Sequence, residues 1–147
     1  MIETPLAIDA CSDDEGQVLL LCGELDLAGA PAFADAVLGV LSEDTRSLLL
    51  DISRLEFLDS TGLMAMLTAR SVCAEHGCEF AVTEPGRQVQ RLLQVTDTLD
   101  RLPVAPRRCD CAARAVRVWP APGGGARGAG AAEHGLAYWQ SSSELNL

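Results

Sequence analysis

The sequence predicts an α/β or α+β layered domain: a substantially parallel sheet with helices packed against it. Two observations carry this. Val18-Leu19-Leu20-Leu21-Cys22 and Leu48-Leu49-Leu50 are continuous apolar runs, as expected of covered strands. Between such runs lie segments whose apolar residues recur three and four apart, the period of a helix. At 147 residues the chain holds one ordinary domain. Hydrophobic residues make up 48% and aromatics only 4%, so the core must be aliphatic.

Leu6 to Cys11 reads as the first strand, followed by the polar turn Ser12-Asp13-Asp14-Glu15-Gly16. Val18 to Cys22 is the second strand. Pro31 suits the first turn of a helix in which Phe33, Val37 and Leu41 recur every four residues. Ser47 to Ile52 gives the third strand. A second helix is expected from Ser60 to Glu75, with Leu63, Met66 and Leu67 on one face and Gly77 as its stop. Glu79 to Thr83 is the fourth strand, and Gly86 to Val95 a third helix with Val89, Leu92 and Leu93 inward. Leu102-Pro103-Val104 adds a short edge segment.

Acids number 21 against 11 Arg and no Lys, a net charge of −10. That deficit of cations argues against a nucleic-acid binder and against a basic amphipathic membrane helix. No stretch approaches ~18 uncharged apolar residues, and Met1-Ile2-Glu3-Thr4-Pro5 is no signal peptide, so a cytoplasmic protein is expected. The charge is divided: the chain through Val104 carries −12, and from Ala105 onward +2. Residues 121–147 hold six Gly and six Ala. The expected organisation is a folded domain at 1–105, an extension at 106–120, and a flexible tail at 121–147. Within the extension, Ala112 to Val118 suits a short helix or strand ended by Pro120. Cys11, Cys22, Cys73, Cys78, Cys109 and Cys111 lack zinc-site spacings, so six free thiols, no metal and no cofactor are expected.

Chemistry is expected at two loops on the C-terminal ends of strands, Gly23-Glu24-Leu25-Asp26 and Leu58-Asp59-Ser60-Thr61-Gly62. Ser60 falls at a helix start, where Asp59 or the Ser60 hydroxyl suits an N-cap. An enzyme is disfavoured. Ser60 lacks a Gly-x-Ser-x-Gly elbow, and His76 lies roughly 24 Å along the same helix at ~1.5 Å per residue. His76 instead suits the helix C-terminal dipole, and His134 lies in the tail. A phosphate loop needs a Lys that is absent, and Asp51 with Asp59 is a thin basis for Mg²⁺.

These residues carry a resemblance. Gly23-Glu24-Leu25-Asp26, Leu50-Asp51 and Leu55-Glu56-Phe57-Leu58-Asp59-Ser60-Thr61-Gly62-Leu63 resemble the STAS domain of bacterial anti-sigma-factor antagonists. Pro85, Val89 to Leu93 and Leu102 to Val104 are similar to that family's last helix and final strand, so the likeness spans about residues 4–105. Abundant Ala, Gly and Arg without Lys also suits a GC-rich, actinobacterial genome. The resemblance implies a mixed sheet of four to five strands with three to four helices packed against it.

It also implies a partner switch. Family members bind an anti-sigma factor that is a serine kinase, releasing the sigma factor, and the kinase phosphorylates the Ser that carries over to Ser60. A PP2C-type phosphatase resets the switch. Glu24, Asp26, Asp59, Thr61 and Gly62 carry over as the phosphosite loop and partner-binding residues, Thr61 at most as a secondary acceptor. The alternative is a STAS module of another partner-switching or stress-sensing complex. Where the family commonly reads Thr-Gly-Leu, this chain has Thr96-Asp97-Thr98-Leu99, which bears on the turn after the last helix.

Overall fold

The computed structural model describes residues 4–120. The expectation for the tail at 121–147 lies outside the described residues. The chain runs β1 (Ala7–Asp13), β2 (Gly16–Leu25), α1 (Ala30–Val40), β3 (Ser47–Leu58), α2 (Ser60–Glu75), β4 (Glu79–Val82), α3 (Arg87–Val95), α4 (Cys109–Arg114) and β5 (Val116–Trp119), with a 3-10 turn at Leu99–Arg101. One five-stranded sheet has the order β4-β3-β2-β1-β5. The sheet is mixed, as the resemblance implied, with only half of its pairings parallel: β2 and β4 run parallel to β3, while β2 and β5 run antiparallel to β1.

The cause of the antiparallel pair is local. Asp13 Oδ1 accepts from the amides of Glu15 at 2.8 Å and Gly16 at 3.0 Å, which folds Asp14-Glu15 into a tight reversal. Gly16 has φ 148°, and a Cβ there would run into the backbone of Ser47. Parallel pairing of β2 with β3 then requires a crossover, which α1 supplies.

Strand alternation divides the sheet into two faces. Ile8, Leu19, Leu21, Leu48, Leu50, Ile52 and Val82 face the helices and pack with Phe33, Val37, Met66, Val72, Val89 and Leu93. The opposite face carries a smaller cluster of Cys11, Val18, Leu49 and Cys111, flanked by Leu20, Ala81, Ala105 and Ala115. Leu102-Pro103-Val104 contributes an isolated parallel bridge between Val82 and Val104. Asp97 takes the left-handed conformation with φ 55° in the turn after α3, a role that Gly fills at lower cost. His76 caps α2, its Nδ1 2.9 Å from the Val72 carbonyl.

The extension at 106–120 contains both a helix and a strand. It lies over the outer face, held by three Arg–Asp pairs: Arg107 to Asp51 at 3.2 Å, Arg108 to Asp13 at 3.1 Å and Arg117 to Asp9 at 2.5 Å. A disulfide joins Cys11 to Cys111, their Cα atoms 5.7 Å apart. The expectation of six free thiols is therefore corrected. Residues 100 apart in sequence leave no local spacing signal, and only the docking of α4 on β1 brings them together. Cys22, Cys73 and Cys78 are free thiols, Cys73 and Cys78 buried and pushed up in pKa by desolvation.

Asp51 is the buried carboxylate of the outer face, its side chain 5% exposed. Burial pushes its pKa up. The Ser53 hydroxyl at 2.6 Å, the Ser53 amide and the Arg107 guanidinium outweigh that and hold it below the usual 3.8. The unfolded chain therefore binds the proton first as pH falls. The stability that Asp51 supplies is complete above its unfolded value and is lost as pH drops through the folded one. Urea midpoints measured from about pH 6 down to about pH 2.5 should fall less steeply in Asp51→Asn than in the parent. Equal acid slopes would remove Asp51 from this role.

Candidate functional site

β2 and β3 end side by side, with Glu24 opposite Phe57 and Leu25 opposite Leu58. Both strands run further than their apolar runs suggest, so Glu24 and Leu58 lie on strand ends and not in free loops. The register shifts between Leu20 and Cys22 and again between Gly23 and Glu24. Gly23 has φ 92°, and a Cβ there would strike the Pro5 carbonyl. This irregularity re-aims the last residues of β2 toward the start of α2.

Asp59 organises that start. Its Oδ1 accepts from the Gly62 amide at 2.8 Å, which makes it the N-cap of α2. Its Oδ2 accepts from the Leu27 amide at 3.3 Å, so one carboxylate ties the β2–α1 loop to the helix. Asp26 shapes the same loop, its Oδ1 accepting from the Gly29 amide at 3.0 Å and its carbonyl from Ala30 at 2.9 Å. Gly62 is buried, and a Cβ there would meet the Leu25 carbonyl and the Leu58 side chain. Glycine is required by this close approach.

Ser60 therefore occupies the first helical position and is not the cap. It is exposed, and among the described residues its hydroxyl makes no hydrogen bond. Thr61 is half-buried beside it. A helix start offers open amides and the positive end of the dipole, which tolerates an added anion at Ser60. The structure brings Asp26, Asp59, Ser60, Thr61 and Gly62 to one place, with Glu24 on the adjoining strand end. Asp51 does not join them; it belongs to the outer face with Arg107.

Several exposed residues at this end were not singled out from the sequence. Leu27 is 72% exposed and Phe57 48%. Met64 follows Ser60 by four residues on the same helix face and is also exposed. Phe57, Leu92 and Val95 line a mainly apolar recess of about 270 Å³ between β3 and α3. Beside it, Glu24, Glu56, Arg87 and Gln88 border a second groove. Periodicity did not reveal Phe57, because Phe57 and Leu58 are both apolar and only the folded strand decides which is buried.

A family model described as "Mlab, STAS domain" matches residues 8–103. The chain belongs to the STAS domain family. The STAS match ends before the strap formed by α4 and β5. Two Mycobacterium tuberculosis strains hold an "Anti-sigma-F factor antagonist RsfB" that is 35% identical over 74 residues, half of this chain and 60% of that protein. The alignment thus spans less than two thirds of those relatives. The fold resembles the crystal structure of an anti-sigma factor antagonist from Mycobacterium paratuberculosis, at 24% identity and TM-score 0.63, covering 77% of this chain and 97% of that one. It also resembles the phosphorylated form of the Bacillus cell fate determinant SpoIIAA, at 16% identity and TM-score 0.52, covering 75% and 98%. Among the described residues, no helix is long and apolar enough to cross a membrane.

Asp59→Ala removes the cap and the tie to Leu27, and should cost about 0.5–2 kcal/mol of unfolding free energy. Ser60→Ala, which touches neither bond, should stay within about 0.5 kcal/mol of the parent. Chemical denaturation of both variants checks this. A larger loss in Ser60→Ala than in Asp59→Ala would contradict the cap assignment.

Proposed function

We propose that this STAS protein is an anti-sigma factor antagonist. It binds an anti-sigma factor with serine kinase activity, frees a sigma factor, and is switched off by phosphorylation of Ser60. A PP2C-type phosphatase restores it. It acts through protein contacts and carries out no catalysis of its own.

One observation supports this reading above the others: Ser60 is exposed at the first position of α2, while Asp59 does the capping. The acceptor hydroxyl is available, and esterifying it breaks no bond that holds the helix. Phosphate adds about −1.5 to −2 charges at neutral pH. Glu24, Asp26, Glu56 and Asp59 already supply acids at this end, and Leu27, Phe57 and Met64 supply exposed apolar surface. A partner docked on that surface would meet new charge and bulk, while the helix dipole keeps the phosphoprotein folded. The likeness to RsfB and to anti-sigma factor antagonist structures favours the same partner class.

Incubation with the cognate anti-sigma kinase and ATP should place one phosphate on Ser60, read by peptide mass spectrometry. Binding to the kinase should fall at least about tenfold on phosphorylation, since 1.4 kcal/mol of added repulsion suffices for that. Ser60→Ala should bind and resist the switch. Phosphate at another residue with Ser60 untouched, or phosphoprotein binding as tightly as the parent, would overturn the proposal.

A further inference from the structure

We propose that Cys11 and Cys111 form a reversible thiol–disulfide latch holding the strap, residues 105–119, against the outer face of the sheet. The inference is independent of the switch at Ser60. It rests on the contrast between what the domain needs and what holds the strap. The principal core is built wholly from residues between Leu6 and Leu102, so it is complete without the strap. The family match likewise ends at residue 103.

The strap itself is lightly held. Its apolar contact is the small cluster around Val18, Leu49 and Cys111, joined by Ala105 and Ala115. All four residues of β5 are exposed, and β5 meets β1 through a short register interrupted between Ile8 and Asp9. Arg107 and Arg117 keep 40% and 48% of their side chains in solvent, so their ion pairs with Asp51 and Asp9 are partly screened, which leaves Arg108, 21% exposed and paired with Asp13 and Glu15, as the best-sheltered ionic tie. Among these contacts the disulfide is the one covalent tie. Removing it leaves a segment poised between docked and released, which is the bistable element a switch requires.

The disulfide is buried, yet a route to it exists. Cys111 helps line an open recess of about 560 Å³ shared with Arg107, Arg108, Arg114 and the acids of the β1–β2 turn. A low-molecular-weight thiol entering there attacks Cys111 Sγ as its thiolate. The Cys11–Cys111 bond breaks, Cys11 leaves as thiolate and takes up a proton, and a mixed disulfide forms at Cys111. A second thiol attacks the external sulfur of that bond, releasing Cys111 and leaving the reagent as its own disulfide. Two electrons pass from the reagent to the cysteine pair, and two thiols replace one disulfide. The released strap uncovers Val18 and Leu49 and opens the β1 edge at Ile8 to Ala10.

Limited trypsin digestion of the full chain reads the latch directly, because the strap carries cleavable Arg107, Arg108, Arg114 and Arg117. Protein is prepared oxidised, reduced with dithiothreitol, and as Cys11→Ser. Cleavage at these four sites should run at least about tenfold faster in the reduced protein and in Cys11→Ser. Arg46, Arg54 and Arg87 should be cut no faster, far-UV circular dichroism should lose no more than the contribution of α4 and β5, and reoxidation should restore strap protection in the parent alone. Equal strap cleavage in oxidised and reduced protein would overturn the latch. So would parallel acceleration at Arg46, Arg54 and Arg87, which would make the disulfide a support of the whole domain. A peptide map of the oxidised protein lacking a Cys11–Cys111 linkage would overturn it too.

Discussion

The two oxygens of the Asp59 carboxylate hold together two parts of the chain 32 residues apart. One satisfies an otherwise open amide in the first turn of α2, and the other fixes the loop that leaves β2. Everything at this end of the sheet depends on that division. Because the carboxylate caps the helix, the Ser60 hydroxyl is left facing solvent. Because it also holds the Leu27 amide, an exposed apolar residue is tied to the start of α2. The close approach of the Leu25 carbonyl to Gly62 completes the arrangement, since any side chain there would push the helix off the strand ends. An exposed serine at a helix start, with exposed apolar side chains near it, follows from Asp59 and Gly62.

The outer face obeys a different constraint. Asp9, Asp13 and Asp51 project from β1 and β3 on the side away from the helices, and the strap brings Arg117, Arg108 and Arg107 to them. The division of charge along the chain, acidic through Val104 and basic beyond it, is the sequence trace of this docking. Buried Asp51 needs its partners, and Ser53, Thr83 and Arg107 supply them.

The order of elements was legible in the sequence because apolar period and turn chemistry agree at nearly every boundary. Pro31 sits in the first turn of α1, and Gly77 follows the end of α2. The site motif was legible as well, through Asp59, Ser60 and Gly62 and the resemblance they carry. Other features were hidden for identifiable reasons. β3 continues through Ser53, Arg54 and Glu56, whose polarity suggested a loop, because Leu55 and Leu58 between and beyond them are buried. The Cys11–Cys111 pair gave no spacing signal, since its partners meet only through tertiary docking. The recess beside Phe57 depends on how α3 lies against β3, which no periodicity encodes.

In the proposed switch, phosphate on Ser60 changes the partner surface and leaves the domain as it is. Backbone amide NMR spectra of the full chain before and after phosphorylation test this most directly. Chemical-shift changes should be confined to Glu24–Leu27 and Phe57–Met64, with the resonances of β1, β4 and α3 unmoved. Changes spread through those distant elements, or a collapse of spectral dispersion, would show that the modification acts by disturbing the fold and would contradict the account.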